Sequence, residues 1–154
     1  DFSGTNDVIK HTIEWCIENK YDVDYVCGIY PTAPFLTSNT LIKGFDALVN
    51  SDAEFVFSST GYSYPIQRAF YIDACGRVDY INKSNKPQRS QDLKKAYHDA
   101  GQFYWGRAGS FLDNIDLFSK KSIPLVLPAY LVHDIDEESD WKHAEILYAG
   151  YKNI

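Results

Sequence analysis

The chain has 154 residues, of which 45% are hydrophobic and 16% are aromatic, and its formal net charge is −6. This length suits one domain with a buried core, and the hydrophobic content excludes a disordered chain. The negative charge argues against a nucleic-acid backbone as the main partner, and no apolar run reaches transmembrane length.

The first half of the sequence alternates helical and extended patterns. Residues 1–20 carry apolar side chains at helical spacing, and residues 22–30 read as a short strand followed by YPTAPF at residues 30–35. A second helix is predicted over 37–50 and a second strand over 53–59. This order predicts a three-layer, Rossmann-like α/β domain with a mostly parallel sheet. The proline loop would then lie at the carboxyl end of a strand, where such sheets bind ligands.

Residues 62–95 interrupt this alternation. Two short strands, at 67–72 and 77–81, are joined by a turn that ends in glycine, which predicts a β-hairpin excursion from the sheet. We expect the excursion to act as a flap over the site or as a dimerisation arm. The alternative is a plain surface hairpin with a loop.

The last part of the chain returns to the sheet pattern. An aromatic strand is predicted over 98–106, a short helix over 110–115, a strand over 122–132 and a closing helix over 138–151. The three cysteines, Cys16, Cys27 and Cys75, are far apart and lack CxxC spacing. Their spacing predicts free thiols in a reducing compartment, and we therefore expect a cytoplasmic protein.

Two carboxylates, Asp134 and Asp136, follow the predicted strand 122–132. Residues i and i+2 of an extended segment point to the same side, so both carboxylates would face one point. Oxygen ligands at this spacing suit Mg²⁺, which proteins hold through one or two carboxylates together with substrate phosphates. The alternative is that these acids serve only the first turn of the closing helix, where negative charge is favourable.

Several common catalytic signatures do not occur in the sequence. It has no GxGxxG, no GxxxxGK[ST] and no GxSxG, so it lacks the dinucleotide, P-loop and nucleophile-elbow motifs. The four histidines show no zinc-binding spacing.

Five segments in register resemble the acylneuraminate cytidylyltransferase family. They are YPTAPF (30–35), SYPIQRA (63–69), RSQDL (89–93), HDAGQFYW (98–105) and HDIDEESDW (133–141). The resemblance covers nearly the whole chain. The form HDAGQF favours the branch that acts on pseudaminic acid, since the N-acetylneuraminate branch usually reads more like NGAIY at this strand.

The resemblance implies that CTP and a nine-carbon 2-keto sugar acid give the CMP-sugar and pyrophosphate. The anomeric 2-hydroxyl would attack the α-phosphate, in a step that depends on positioning and charge neutralisation. Asp134 and Asp136 match the family's Mg²⁺-binding aspartates.

The resemblance also implies contacts to both substrates. Thr5 matches a hydroxyl near the nucleotide, and Tyr30, Pro31 and Thr32 match the loop beside the ribose, although other branches often carry Gln in place of Tyr30. The residues expected to contact the sugar acid are Arg89, Gln91, His98 and Gln102. Arg89 suits a carboxylate because its guanidinium can pair with it through two hydrogen bonds.

One part of the family pattern is absent. The family opens with a βα unit whose basic loop cradles the triphosphate, and nothing in these residues matches it. We therefore expect a single cytidylyltransferase-like domain over 1–154 without that unit, and a homodimer. The alternatives are a glycosyltransferase, since Asp134-Ile135-Asp136 also reads as a DxD metal motif, and a non-catalytic binding module.

Overall fold

The computed structural model describes residues 4–81 and 89–152. Residues 1–3 of the first predicted helix and residues 82–88 of the predicted excursion lie outside this description. The elements are α1 (Thr5–Glu18), β1 (Tyr25–Ile29), α2 (Ser38–Val49), β2 (Phe55–Gly61), β3 (Phe70–Ile72), β4 (Val78–Tyr80), β5 (Tyr97–Arg107), α3 (Ala108–Leu112), β6 (Ser122–Val126) and α4 (Glu138–Tyr151). No helix within the described ranges is long and apolar enough to cross a membrane.

The main sheet has four strands in the order β1-β5-β2-β6. β2 and β6 are parallel, whereas β5 is antiparallel to both β1 and β2. Three of the four strands therefore run in one direction, which confirms the mostly parallel sheet but makes it mixed. β5 is reversed because the excursion brings the chain back to the place where it left the sheet: the Tyr62 N–H donates to the Ala96 carbonyl at 3.1 Å.

Helices cover both faces of this sheet, which confirms the three-layer α/β architecture. Neighbouring residues of a strand point to opposite faces. Phe55 packs with Ile13 of α1 and Phe111 of α3, while the next residue, Val56, packs with Leu48 of α2. The two clusters hold each helical layer to the sheet by burial of apolar surface.

Local signals fix where helices begin. The Asp7 carboxylate accepts the Gly4 N–H at 3.1 Å at the start of α1, and Thr37 Oγ1 accepts the Thr40 N–H at 3.2 Å at the start of α2. These contacts satisfy amide groups that have no partner within the helix.

The strand predicted over 122–132 is too long. β6 ends at Val126, and Pro128 follows at the start of a 3-10 turn, Ala129–Leu131. Proline fixes its own φ and provides no N–H for a strand ladder, so the chain turns here. The carboxylate pair is therefore reached through a turn and not at the end of a strand.

The excursion contains a separate two-stranded sheet made of β3 and β4. Its turn is held by Asp73, whose Oδ1 accepts the N–H groups of Cys75 and Arg77 at 2.8 and 2.9 Å. The predicted hairpin is therefore present, and its role in dimerisation stays a prediction.

Candidate active site

A bulge in the central strand β5 shapes the candidate site. Two steps along β2, from Phe57 to Ser59, correspond to five along β5, from Tyr104 to Asp99. The buried Ser58 Oγ accepts the N–H groups of Gln102 at 3.0 Å and of Phe103 at 3.3 Å. These bonds replace ladder bonds that the bulge removes, because a buried N–H without an acceptor is costly. The segment 99–102 therefore projects from the sheet as a fixed shape.

Two clefts lie near the bulge of β5. The first, the Thr5 cleft, has a volume of about 360 Å³. It lies at the start of α1 and beyond the end of β1. Its polar lining residues are Thr5, Asn6, Tyr30, Asp99, Tyr104 and Asp116. Among the described residues that line it none is basic, so the cleft suits hydroxyl and amide groups better than phosphates.

Hydrogen bonds order the floor of the Thr5 cleft. Thr5 Oγ1 bonds the Tyr30 hydroxyl, and the Tyr104 hydroxyl donates to Asp99 Oδ2. The two tyrosine rings meet edge to face at 5.5 Å between centroids. Burial raises the pKa of Tyr104, and the hydrogen bond to Asp99 raises this pKa further. Tyr104 is therefore a protonated donor throughout the physiological range.

The second cleft, the Lys94 cleft, has a volume of about 460 Å³. It opens where the parallel strands β2 and β6 end, between the sheet and the excursion. Its polar and aromatic lining includes Tyr62, Ser63, Ser90, Lys94, Lys95 and Tyr97. Two lysines give this cleft the positive charge that the Thr5 cleft lacks, so it is the better place for an anionic group.

Three residues predicted to contact the sugar acid lie around the Lys94 cleft. Arg89 is exposed and pairs with Asp92 at 3.0 Å, and Gln91 is exposed. Both flank Ser90, which lines the cleft. The His98 ring lies 4.7 Å from the ring of Tyr62, another lining residue. The structure brings these residues to one region, and their contact with substrate stays a prediction.

Gln102 is placed differently from the other three. Its side chain is 1% exposed, and its Nε2 donates to the Leu131 carbonyl at 2.6 Å. The amide therefore contacts the protein interior and lines neither cleft.

The carboxylate loop, residues 132–137, carries the predicted metal ligands. Asp134 and Asp136 are both exposed, and Asp134 Oδ1 accepts the Ile135 N–H at 3.0 Å. Asp134 also lies beside the bulge, since a Cβ built on Gly101 would be 3.9 Å from its Oδ2.

Pro31 and Thr32 follow Tyr30 in the loop after β1, where Pro31 is exposed and Thr32 half-buried.

Asp140 holds the far end of the carboxylate loop. Its Oδ2 accepts the N–H groups of Glu137 at 3.0 Å and Asp136 at 3.1 Å. These two bonds, that from Glu137 first, lower the pKa of Asp140. The acids of this segment thus divide: Asp140 serves the helix start, as the alternative interpretation expected, while the side chains of Asp134 and Asp136 are exposed.

The sequence analysis did not select several residues that the structure brings to the clefts. Asp99 and Tyr104 lie in the same aromatic strand as His98, and Lys94 and Lys95 lie shortly before that strand. The signals were the small Ala-Gly pair after Asp99, which permits a bulge, and two adjacent lysines before a strand.

Comparison with known proteins identifies relatives of this chain. The chain is 38% identical over 148 residues to pseudaminic acid cytidylyltransferases of two Campylobacter jejuni strains, across 96% of this chain and 64% of theirs. It is 34% identical over 115 residues to a Helicobacter pylori protein named pseudaminic acid cytidylyltransferase and UDP-2,4-diacetamido-2,4,6-trideoxy-beta-L-altropyranose hydrolase, across 74% of this chain and 22% of that one. No protein-family model matches.

A solved structure supports the fold. CMP:2-keto-3-deoxy-manno-octonic acid synthetase, in complex with CTP, superposes with a TM-score of 0.56 at 12% identity, over 98% of this chain and 70% of that one. The chain spans 64% of the length of the Campylobacter relatives. Over the 148 residues that it shares with them, the chain is a homologue of the pseudaminic acid cytidylyltransferases, which confirms the resemblance drawn from its five motifs.

Proposed function

We propose that this chain belongs to an enzyme that transfers CMP from CTP to a nonulosonic sugar acid, namely pseudaminic acid, and releases pyrophosphate. The observation that carries this proposal is the 38% identity to pseudaminic acid cytidylyltransferases over 96% of the chain. Two clefts of different charge support it, because the reaction joins a nucleotide to an acidic sugar.

The proposed step is a displacement at phosphorus. The anomeric 2-hydroxyl oxygen of the sugar acid forms a bond to the α-phosphorus of CTP, and the bond from that phosphorus to the β-phosphate bridging oxygen breaks. The hydroxyl proton goes to solvent or to a nearby base, and pyrophosphate leaves. The demands on the protein are alignment of the attacking oxygen and neutralisation of the phosphate charge.

We propose that Mg²⁺ is the cofactor, held by Asp134 and Asp136. The donor set fits, since both side chains are exposed carboxylates and Mg²⁺ takes one or two such ligands together with phosphate oxygens and water. In the described part of the chain no group of three or more His, Cys, Asp or Glu side chains could hold a metal ion, so the remaining ligands would be phosphate and water oxygens. When bound, Mg²⁺ supplies charge neutralisation at the phosphates.

The remaining predicted residues, apart from Gln102, divide between the two clefts. Thr5 and Tyr30, with Pro31 and Thr32 beside them, would contact the nucleoside, because the Thr5 cleft offers hydroxyl groups and backbone. The sugar acid would occupy the Lys94 cleft. Its contacts there would come from Arg89, Gln91 and His98, together with Lys94 and Lys95.

We also propose that the enzyme is a cytoplasmic homodimer whose excursion contributes the contact between subunits. The hairpin exposes large apolar side chains, with Tyr71 66% and Ile72 72% exposed. Exposed apolar clusters of this kind are common at interfaces between subunits. Three free cysteines agree with a reducing compartment.

The deciding experiment is an assay of pyrophosphate release by the full-length natural protein with CTP, Mg²⁺ and either pseudaminic or N-acetylneuraminic acid. Release with pseudaminic acid only is the expected result. Asp136→Asn should abolish release with the fold intact, whereas Asp46→Asn, an exposed carboxylate on α2, should leave it unchanged. Full activity of Asp136→Asn would rule out the metal assignment.

Other outcomes would support the alternatives. Transfer of a sugar from a nucleotide donor without pyrophosphate release would indicate a glycosyltransferase that uses Asp134 and Asp136 as a DxD motif. Binding of CTP without turnover, unchanged by Asp134→Ala, would indicate a non-catalytic binding module.

A further inference from the structure

A buried glutamine lies in the bulge of β5. Gln102, at 1% exposed, is the largest polar side chain among the fully buried residues of the described chain, next to Phe103 and Ser58. Burying an amide without hydrogen bonds costs free energy, so its role follows from its partner. Its Nε2 donates to the Leu131 carbonyl at 2.6 Å, across a sequence separation of 29 residues.

That partner stands directly before the carboxylate loop. Leu131 is the last residue of the 3-10 turn Ala129–Leu131, and its carbonyl leads into residues 132–137. The loop belongs to no strand and no helix. Its first N–H, that of Val132, bonds back to the Ala129 carbonyl at 3.1 Å, and its last two donate to Asp140. The side chain of Gln102 therefore links the start of this loop to strand β5 through a hydrogen bond.

The residue before Gln102 meets the same loop. Gly101 has a φ of +60°, and a Cβ built on it would be 3.9 Å from Asp134 Oδ2. Gly101, in the bulge of β5, therefore faces the Asp134 carboxylate. The side chain of the next residue, Gln102, bonds the Leu131 carbonyl, which directly precedes the loop that carries Asp134. Both contacts come from one segment of β5, in which the Gln102 N–H donates to Ser58 Oγ and the Gly101 N–H donates to Asp99 Oδ1.

We propose that Gln102 is a positioning residue for the Asp134 and Asp136 pair, and that its side chain does not contact the sugar acid. This proposal rests on the proposed metal-dependent function. Gln102 acts through the Leu131 carbonyl: it fixes the turn from which the loop departs, and so fixes where both carboxylates stand. Outer partners of metal ligands typically change metal affinity or activity by about 10- to 100-fold when they are removed.

The test compares two variants of the full-length protein that each lose one donor from β5. Gln102→Met keeps a side chain of similar length and removes the bond to Leu131. Trp105→Phe, the matched control, removes the indole N–H that donates to the Leu41 carbonyl of α2 at 3.0 Å, away from the loop. Binding of Mn²⁺, used as the probe metal, is measured by electron paramagnetic resonance of the free ion, with and without CTP. Steady-state constants are measured for pseudaminic acid.

Gln102→Met should bind Mn²⁺ about 10- to 100-fold more weakly, with the KM for the sugar acid unchanged. Trp105→Phe should lose stability but keep its Mn²⁺ affinity. An increase in the sugar KM with unchanged Mn²⁺ affinity would overturn the proposal and return Gln102 to the sugar site. Unchanged values of both constants would also overturn it.

Two further arms keep the result decisive. If Gln102→Met does not fold, Gln102→Asn retracts the amide from Leu131 and is judged by the same two constants. If the wild type releases no pyrophosphate, the proposed function fails, yet the Mn²⁺ measurement still decides whether Gln102 positions the carboxylates.

Discussion

Gly101 offers a direct test of the bulge, because the cost of its backbone conformation can be measured without a steric clash from an added Cβ. Its φ of +60° lies in the left-handed region, which costs a residue with a Cβ roughly 1–2 kcal/mol. The single atom close to a Cβ there would be Asp134 Oδ2 at 3.9 Å, an ordinary contact distance. Gly101→Ala should therefore be destabilised by backbone strain alone.

The expected loss of about 1–2 kcal/mol corresponds to a fall in Tm of roughly 2–8 °C for a domain of this size. Urea unfolding, followed by circular dichroism, gives the free energy and checks that the slope with denaturant is unchanged. Gly101→Asn should lose less than Gly101→Ala, because asparagine adopts the left-handed region more readily than other residues with a Cβ.

Two other glycines, Gly106 of the same strand and Gly109 of α3, set the scale. A Cβ on Gly106 would lie 2.5 Å from Phe111 Cε2 and 2.6 Å from Phe55 Cδ1, so Gly106→Ala forces core rings apart and should cost more than Gly101→Ala. A Cβ on Gly109 meets nothing within 4 Å, so Gly109→Ala should be neutral or stabilise α3 by up to about 1 kcal/mol. A loss at Gly101 equal to that at Gly106, or no loss, would refute the assigned backbone conformation.

Three further predictions concern titratable groups. Tyr104→Phe removes the donor to Asp99 and should lower the free energy of unfolding by about 1 kcal/mol in urea titrations, since water in the open cleft can replace part of this bond. Burial raises the pKa of the Cys27 thiol from 9.0 to about 12, so native Cys27 should resist alkylation in that pH range while exposed Cys75 reacts. The lowered pKa of Asp140 means that its stabilisation is present above its ordinary pKa of 3.8 and is lost as pH falls through the folded-state value, so Asp140→Asn should lose less stability on acidification.

Each of these has its own contradicting result. A Tyr104→Phe protein as stable as the wild type would place the hydroxyl in water and not on Asp99. Equal alkylation rates at Cys27 and Cys75 in the folded protein would contradict burial of the Cys27 thiol. The same raised thiol pKa predicts stability lost as pH rises from 9.0 to about 12, because the unfolded thiol ionises first; Cys27→Ala should remove this loss. An Asp140→Asn protein with unchanged acid sensitivity would mean that Asp140 does not hold the loop.

Periodicity predicted the element order and many boundaries because each element buries one face. α4 begins at Glu138 and ends at Tyr151, as expected from its spacing. The direction of β5 has no such local signature. The relevant signal was the lack of a helical pattern in residues 62–96: without a crossover helix the chain returns at the edge that it left, and the next strand must run antiparallel.

The candidate site was predictable only in part. Thr5, Tyr30 and the acidic pair were selected as site residues by their match to the family. The structure brings Thr5 and Tyr30 into contact. The interior role of Gln102 could not be predicted, because its partner is a backbone carbonyl 29 residues away and backbone groups leave no trace in sequence. The end of β6 was predictable from Pro128 and was missed because the apolar run continues past it.

The position of β5 between β1 and β2 also determines when the strands of this sheet can pair during synthesis. β1 and β2 pair with β5 and not with each other. During synthesis the β1–β5 and β2–β5 pairs therefore cannot be completed until Arg107, the last residue of β5, has left the ribosome. Until then the two strands lack the partner that joins them, and the closure of this four-stranded sheet depends on contacts between distant parts of the chain. We expect this nascent stage to be the one most dependent on chaperones, and the arrival of β5 to commit the domain to folding.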